Sequence, residues 1–144
     1  MNPLAAFWDS SALVPLCLRE PATRSAEQSF HKYPPVIWWT AAVEIYSAIA
    51  RSLRSGTIDS QEAERAMDSL GRIRMMWREI LPAYSVRNEA CRLLDVYPLR
   101  AADALQLAAA LVWCQQRPAG RVFVCSDRRL SAAARAAGFS VVEL

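Results

Sequence analysis

The sequence predicts an α/β fold, a mainly parallel sheet covered on both faces by helices. Short apolar runs alternate with longer helix-patterned runs along the whole chain, the order expected of βαβ units. Two of the short runs, "PVIWW" and "RVFVCS", are rich in the β-branched and aromatic residues that favour strands. The chain has 144 residues and carries no internal repeat, low-complexity tract or linker, so it reads as one domain over residues 1–144.

The first element is a strand over residues 4–8, "LAAFW". "SALVPLCLRE" follows as a helix capped by Ser10 or Ser11, with Pro15 near its first turn. "PATRSAEQSFHKY" is a second helix, and "PVIWW" at 35–39 a second strand. Thr40 is expected to cap a helix that runs to about Ser55 and stops at Gly56. In "DSQEAERAMDSLGRIRMMW", Ala63, Ala66, Met67, Leu70 and Ile73 recur at helical spacing. A short strand near Glu79 to Leu81 comes next, then a helix "VRNEACRLLDVY" capped by Ser85. Another helix follows Pro98 and runs to about Gln116. The chain closes with a strand over 121–126, a helix ended by Gly138 and a last strand "FSVVEL".

Composition narrows the class of function. A net charge of +3 is mildly basic, and among the basic residues only Lys32 is a lysine. Four cysteines, at 17, 91, 114 and 125, form no CxxC pair, and His31 is the single histidine, which argues against a zinc site. Scattered thiols without a signal peptide fit reduced cysteines of a cytoplasmic protein. The longest apolar run, Ala101 to Cys114, is shorter than a membrane span and contains Asp103 and Gln106. No GxGxxG, P-loop or GxSxG motif occurs, which disfavours nucleotide-cofactor and serine-hydrolase readings.

Four acids remain to be explained. Asp9 follows the first strand, and Asp127 follows the strand over 121–126. Either could be a turn former or a helix cap, yet sites in parallel sheets form at the carboxyl ends of strands. Glu44 lies one turn into the helix after Thr40, on what reads as a polar stripe. Asp103 sits in "LRAADALQLAAAL", where the first turn of a helix would favour an anion. Each acid alone admits an ordinary role. If the four converge, repulsion either raises their proton affinities or recruits a cation. An all-oxygen carboxylate pocket suits Mg²⁺ or Mn²⁺, and such an ion supports phosphodiester hydrolysis.

At these residues the sequence resembles the PIN-domain nucleases, and among them the VapC-like toxins of bacterial toxin–antitoxin pairs. "FWDSSALV" is similar to the family's opening motif, and "TAAVEIYSAIARSLRSGTID" to its second. "LRAADALQLAAAL" closely follows the Leu-Arg-x-x-Asp-Ala-x-x-Leu-Ala-x-Ala pattern, and "VCSDRRLSAAARAAGFSVV" the closing motif. The resemblance spans essentially the whole chain. It implies a three-layer α/β/α sandwich and a Mg²⁺-dependent (or Mn²⁺-dependent) endoribonuclease. Asp9, Glu44, Asp103 and Asp127 become its acidic quartet. Asp9 and Asp103 would ligate the metal directly, with Glu44 and Asp127 ligating directly or through water. Ser11 would support the pocket or a metal-bound water. A homodimer and a cognate antitoxin are implied as well.

The chain departs from the pattern at Cys125, where many members carry Thr or Ser. Ser126 is the neighbouring hydroxyl that would replace it, although alternation along a strand aims it differently. Arg100, Arg128 and Arg129 lie near the acids in sequence, as phosphate contacts or as ordinary surface charges. Trp38 and Trp39 are adjacent on a strand, so they cannot share one stacking platform, and core packing is expected. Two rivals stand beside the nuclease reading. One is a non-catalytic PIN-like RNA-binding or scaffold module, which has no reason to assemble four acids. The other is a receiver-like domain, disfavoured because Asp9 is followed by Ser10 and Lys32 is misplaced.

Overall fold

A computed structural model describes residues 4–144. Five strands form one sheet: β1 (Ala6–Trp8), β2 (Pro35–Trp38), β3 (Arg78–Ile80), β4 (Val122–Cys125) and β5 (Ser140–Glu143). The order is β3-β2-β1-β4-β5 and every pairing is parallel. β1 is central, with Trp8 in register with Val124 of β4 and Phe7 with Val36 of β2. Successive strands therefore build outward to one side as far as β3, then return across the sheet to β4. The reversal makes the β1/β4 boundary the switch point, where a crevice opens at the carboxyl ends.

Two helical layers enclose the sheet because successive strand side chains face opposite ways. Ala6, Trp8, Ile37, Val122 and Val124 pack under α1 (Ser10–Cys17), α2 (Thr23–Lys32), α3 (Ala41–Arg54) and α4 (Ser60–Arg74). Phe7, Val36, Trp38, Phe123 and Cys125 face α5 (Tyr84–Val96), α6 (Ala101–Trp113) and α7 (Arg128–Ala137). The three-layer sandwich is the predicted one. No helix among the described residues is long and apolar enough to cross a membrane.

Local chemistry sets the boundaries. Asp59 and Glu62 form a reciprocal capping box that starts α4. Gly138 ends α7 at φ 114°, a left-handed conformation that a side chain disfavours, and an added Cβ would also meet Pro118 at 3.0 Å. Four expected helix signals are corrected. Asp9, rather than Ser10 or Ser11, caps α1 by accepting from the Ser11 N–H. Pro15 lies inside α1, not in its first turn, and the helix stops two residues later. Ser85 does not cap α5, which begins at Tyr84 after an extended Ala83. α6 stops at Trp113, because Gln115 and Gln116 turn to positive φ and send the chain toward β4.

Of the adjacent tryptophans, Trp38 is core while Trp39 remains 51% exposed. That split corrects the expectation of core packing for both and follows from the alternation itself.

Candidate functional site

The switch point gathers the acids. Asp9 leaves the end of β1 with its N–H bonded to the Val124 carbonyl of β4 at 3.0 Å. Asp127 follows the end of β4 and caps α7, its Oδ1 accepting from the Leu130 N–H at 2.9 Å. The capping roles that each sequence position admits are thus real. They occupy only one oxygen of each carboxylate, and the other accepts no bond from the described residues.

Asp9 is buried, 4% exposed. Its Oδ2 takes hydrogen bonds from the hydroxyl and the N–H of Ser11, the latter at 3.2 Å, and faces the Cys125 thiol at 3.7 Å. Burial pushes its pKa up to about 6; the negative charges of Glu44 and Asp103 add to the rise, against the lowering effect of Ser11. Asp103 lies in the first turn of α6 and is half-buried. Partial burial raises its pKa too, reinforced by Asp127 and Glu44 and opposed by Arg100 and Arg129. These couplings put the four acids in one electrostatic neighbourhood. The two arginines, both exposed, stand close enough to act on it.

Glu44 is held differently. Thr40, the residue before α3, makes no backbone cap; its hydroxyl instead donates to Glu44 Oε1 at 2.7 Å. The Ser10 hydroxyl donates to Oε2. The Gln106 amide reaches both oxygens, at 3.2 and 3.4 Å, and also Ser10 Oγ at 3.4 Å. Glu44 is therefore no solvated helix-face acid. Gln106 is the site residue that the sequence reading missed. The signal was present: a polar residue in an apolar run, three positions after Asp103 and so on the same helix face.

Ser11 sits where expected, bridging Asp9 and the Ser126 N–H, which donates to its Oγ at 3.1 Å. Ser126 does not supply the substitute hydroxyl, since its own Oγ is buried without a partner. Alternation explains this. Cys125 points to the α6 side of the sheet, as Asp9 does, and the next residue turns away.

The donor set fits a hard divalent cation: carboxylate oxygens, two of them holding protons abnormally tightly, with open oxygens on Asp9, Asp103 and Asp127. Among the described residues, no three His, Cys, Asp or Glu side chains stand close enough to share one ion. The arrangement suits an ion taken by one or two carboxylates with water completing its shell, as Mg²⁺ commonly is.

Solved structures share this architecture. PAE2754 from Pyrobaculum aerophilum matches with a TM-score of 0.68 at 18% identity, over 97% of this chain and 90% of its own. FitAcB from Neisseria gonorrhoeae gives 0.67 at 12% identity, over 94% and 95%. The fold is PIN-like. A toxin–antitoxin complex from Klebsiella pneumoniae also matches, with a TM-score of 0.62 at 15% identity, over 88% of this chain and 91% of that one. No protein-family model matches the sequence, and no curated protein matches it.

Proposed function

We propose that this chain is a metal-dependent endoribonuclease of the PIN-domain, VapC-like kind, the toxin of a toxin–antitoxin pair. The observation that carries the reading is the electrostatic convergence of Asp9, Glu44, Asp103 and Asp127 at the carboxyl-end switch point of a PIN-like sheet. A structural core has no use for four like charges, two of which resist ionisation in place. The four sequence motifs and the toxin–antitoxin complex among the structural matches support the same reading.

Asp9 and Asp103 would hold Mg²⁺ or Mn²⁺ through their open oxygens, with water completing its shell and Asp127 acting through that water. Such an ion lowers the pKa of bound water and stabilises charge on a phosphoryl oxygen. Ser11 fixes the Asp9 carboxylate, and the capping bonds hold Asp9 and Asp127 in orientation. Arg100 and Arg129 supply the positive charge beside the acids that an RNA phosphate needs. A groove of about 470 Å³ beside Ser11 offers Arg51, Ser52 and Ser55 as phosphate-oxygen donors, with Glu20 and apolar Val14, Leu18 and Ala48 making up the rest of its wall. An antitoxin partner, a homodimer and a cytoplasmic location belong to this reading.

The wide spacing of the acids also favours a second reading, a non-catalytic PIN-like RNA-binding or scaffold module. Cleavage separates the two. Antitoxin-free protein is incubated with tRNA and ribosomal RNA fragments plus Mg²⁺ or Mn²⁺, with and without chelator, beside a folded Asp103→Asn variant. Metal-dependent fragments that vanish in the variant support the nuclease. Equal inertness with retained RNA binding favours the module.

A further inference from the structure

We propose that Gln106 is a positioning residue which, with Ser10 and Thr40, fixes Glu44 and keeps it off a bound cation; this rests on the nuclease reading. An ionised carboxylate offers about four lone-pair positions. On Glu44 they meet three donor groups: Thr40 Oγ1 on Oε1, Ser10 Oγ on Oε2, and the Gln106 amide nitrogen, whose two N–H groups are shared among both oxygens and Ser10 Oγ. The donors come from three elements, the start of α1, the entry to α3 and the buried face of α6. The three aspartates contrast with this. Asp9 and Asp127 each leave one oxygen without a donor among the described residues, and charges alone act on Asp103 besides its burial. An ion entering the pocket finds donor-free oxygens on the aspartates, whereas both oxygens of the glutamate already accept hydrogen bonds.

Gln106 holds its orientation against a cost. Its side chain is 1% exposed, and with the amide nitrogen turned to Glu44 the carbonyl Oε1 is buried without any hydrogen-bond partner. The reversed amide would set that oxygen against the carboxylate. The unpaired carbonyl is therefore the consequence of keeping N–H groups on Glu44. Glu44 then acts as a fixed negative charge, which bears on Asp9 and Asp103 alike.

Gln106→Met tests this. Methionine matches the volume, donates nothing and leaves the net charge unchanged. Mn²⁺ affinity is read by calorimetry, RNA cleavage as kcat and KM, and folding by Tm. The expected result is a Mn²⁺ Kd within about threefold of wild type and an unchanged KM, with kcat down about tenfold or more. Tm should hold or rise, because an unpaired carbonyl is removed. A parallel loss of Mn²⁺ affinity would put Glu44 on the ion and overturn the inference. An unchanged kcat would reduce Gln106 to packing and overturn it as well. Should the methionine variant not fold, Ser10→Ala removes another donor from the same carboxylate, with the same expectations for Mn²⁺ affinity, KM and kcat. A wild type that neither binds Mn²⁺ nor cleaves RNA overturns the nuclease reading and this inference together. A metal-binding, active wild type with either contrary variant result overturns the inference alone.

Discussion

The Cys125 thiol lies 3.7 Å from Asp9 Oδ2 and 3.9 Å from Ser11 Oγ, where two neighbouring parallel strands end. Its one S–H faces two acceptors, this carboxylate and the Asp127 carbonyl at 3.3 Å, and is a weak donor to either. Burial, with the Asp9 charge beside it, pushes its pKa up to about 12, so it stays a thiol. Cys125→Ser should therefore keep RNA cleavage within about threefold, while Cys125→Val, which cannot donate, should lower it about tenfold. Initial rates at fixed metal concentration check the pair, and a fully active valine variant would remove Cys125 from the site.

Asp9 makes stability depend on pH. Burial raises its pKa in the folded state, from an ordinary 3.8 to about 6. The folded protein thus holds the proton more tightly, and this contribution is complete below about pH 4 and lost as pH rises through about 6. At pH 7.5 the ionised group costs about 3 kcal/mol relative to its protonated form. Asp9→Asn keeps the α1 cap without the charge. Metal-free wild type should melt higher at pH 5 than at pH 7.5. The variant should melt above wild type by about 10 °C at pH 7.5, with a flatter profile. An asparagine variant that melts lower at neutral pH would contradict the burial cost.

On the proposed reading, a cation that binds the acids relieves this cost. Mn²⁺ or Mg²⁺ should raise Tm at pH 7.5, by the equivalent of about 2.7 kcal/mol at a hundred times Kd. Chelator should reverse the rise, and Asp103→Asn should abolish most of it. Thermal melts across a metal titration measure this without any RNA. An identical rise in the variant would place the binding away from Asp103.

Thiol reactivity offers a check on the layers. Cys91 is exposed on α5, while Cys114 and Cys125 are buried. Cys17 is partly covered, and burial pushes its pKa up to about 12 despite the opposing charge of Arg72. At pH 8 a disulfide reagent should label Cys91 quickly and the other three only on unfolding. Mass mapping of the first-labelled site decides it, and fast labelling of Cys125 would refute its place beneath the acids.

The α/β class and the order of the elements were legible in the sequence, because periodicity is a local property of the chain. So were the four acids, each marked by its motif and by a strand end or helix start. Helix starts were less legible. Asp9 took the cap from Ser10 and Ser11 because the strand ends one residue earlier than a helix can begin. Gln106 passed as one polar residue in an apolar helix, since its partners are 62 and 96 residues away.

The sequence by itself determined which residues are apolar at which spacing, and hence which elements exist and where charges interrupt them. Only the tertiary structure decided which carboxylate oxygens stay open. It closed Glu44 with donors from three separate elements, gave Asp9 its burial, and turned Cys125 rather than Ser126 toward the site. The reason is physical. Hydrogen-bond saturation and desolvation depend on what packs around a group in three dimensions, and neighbours brought by a parallel crossover leave no trace in local spacing.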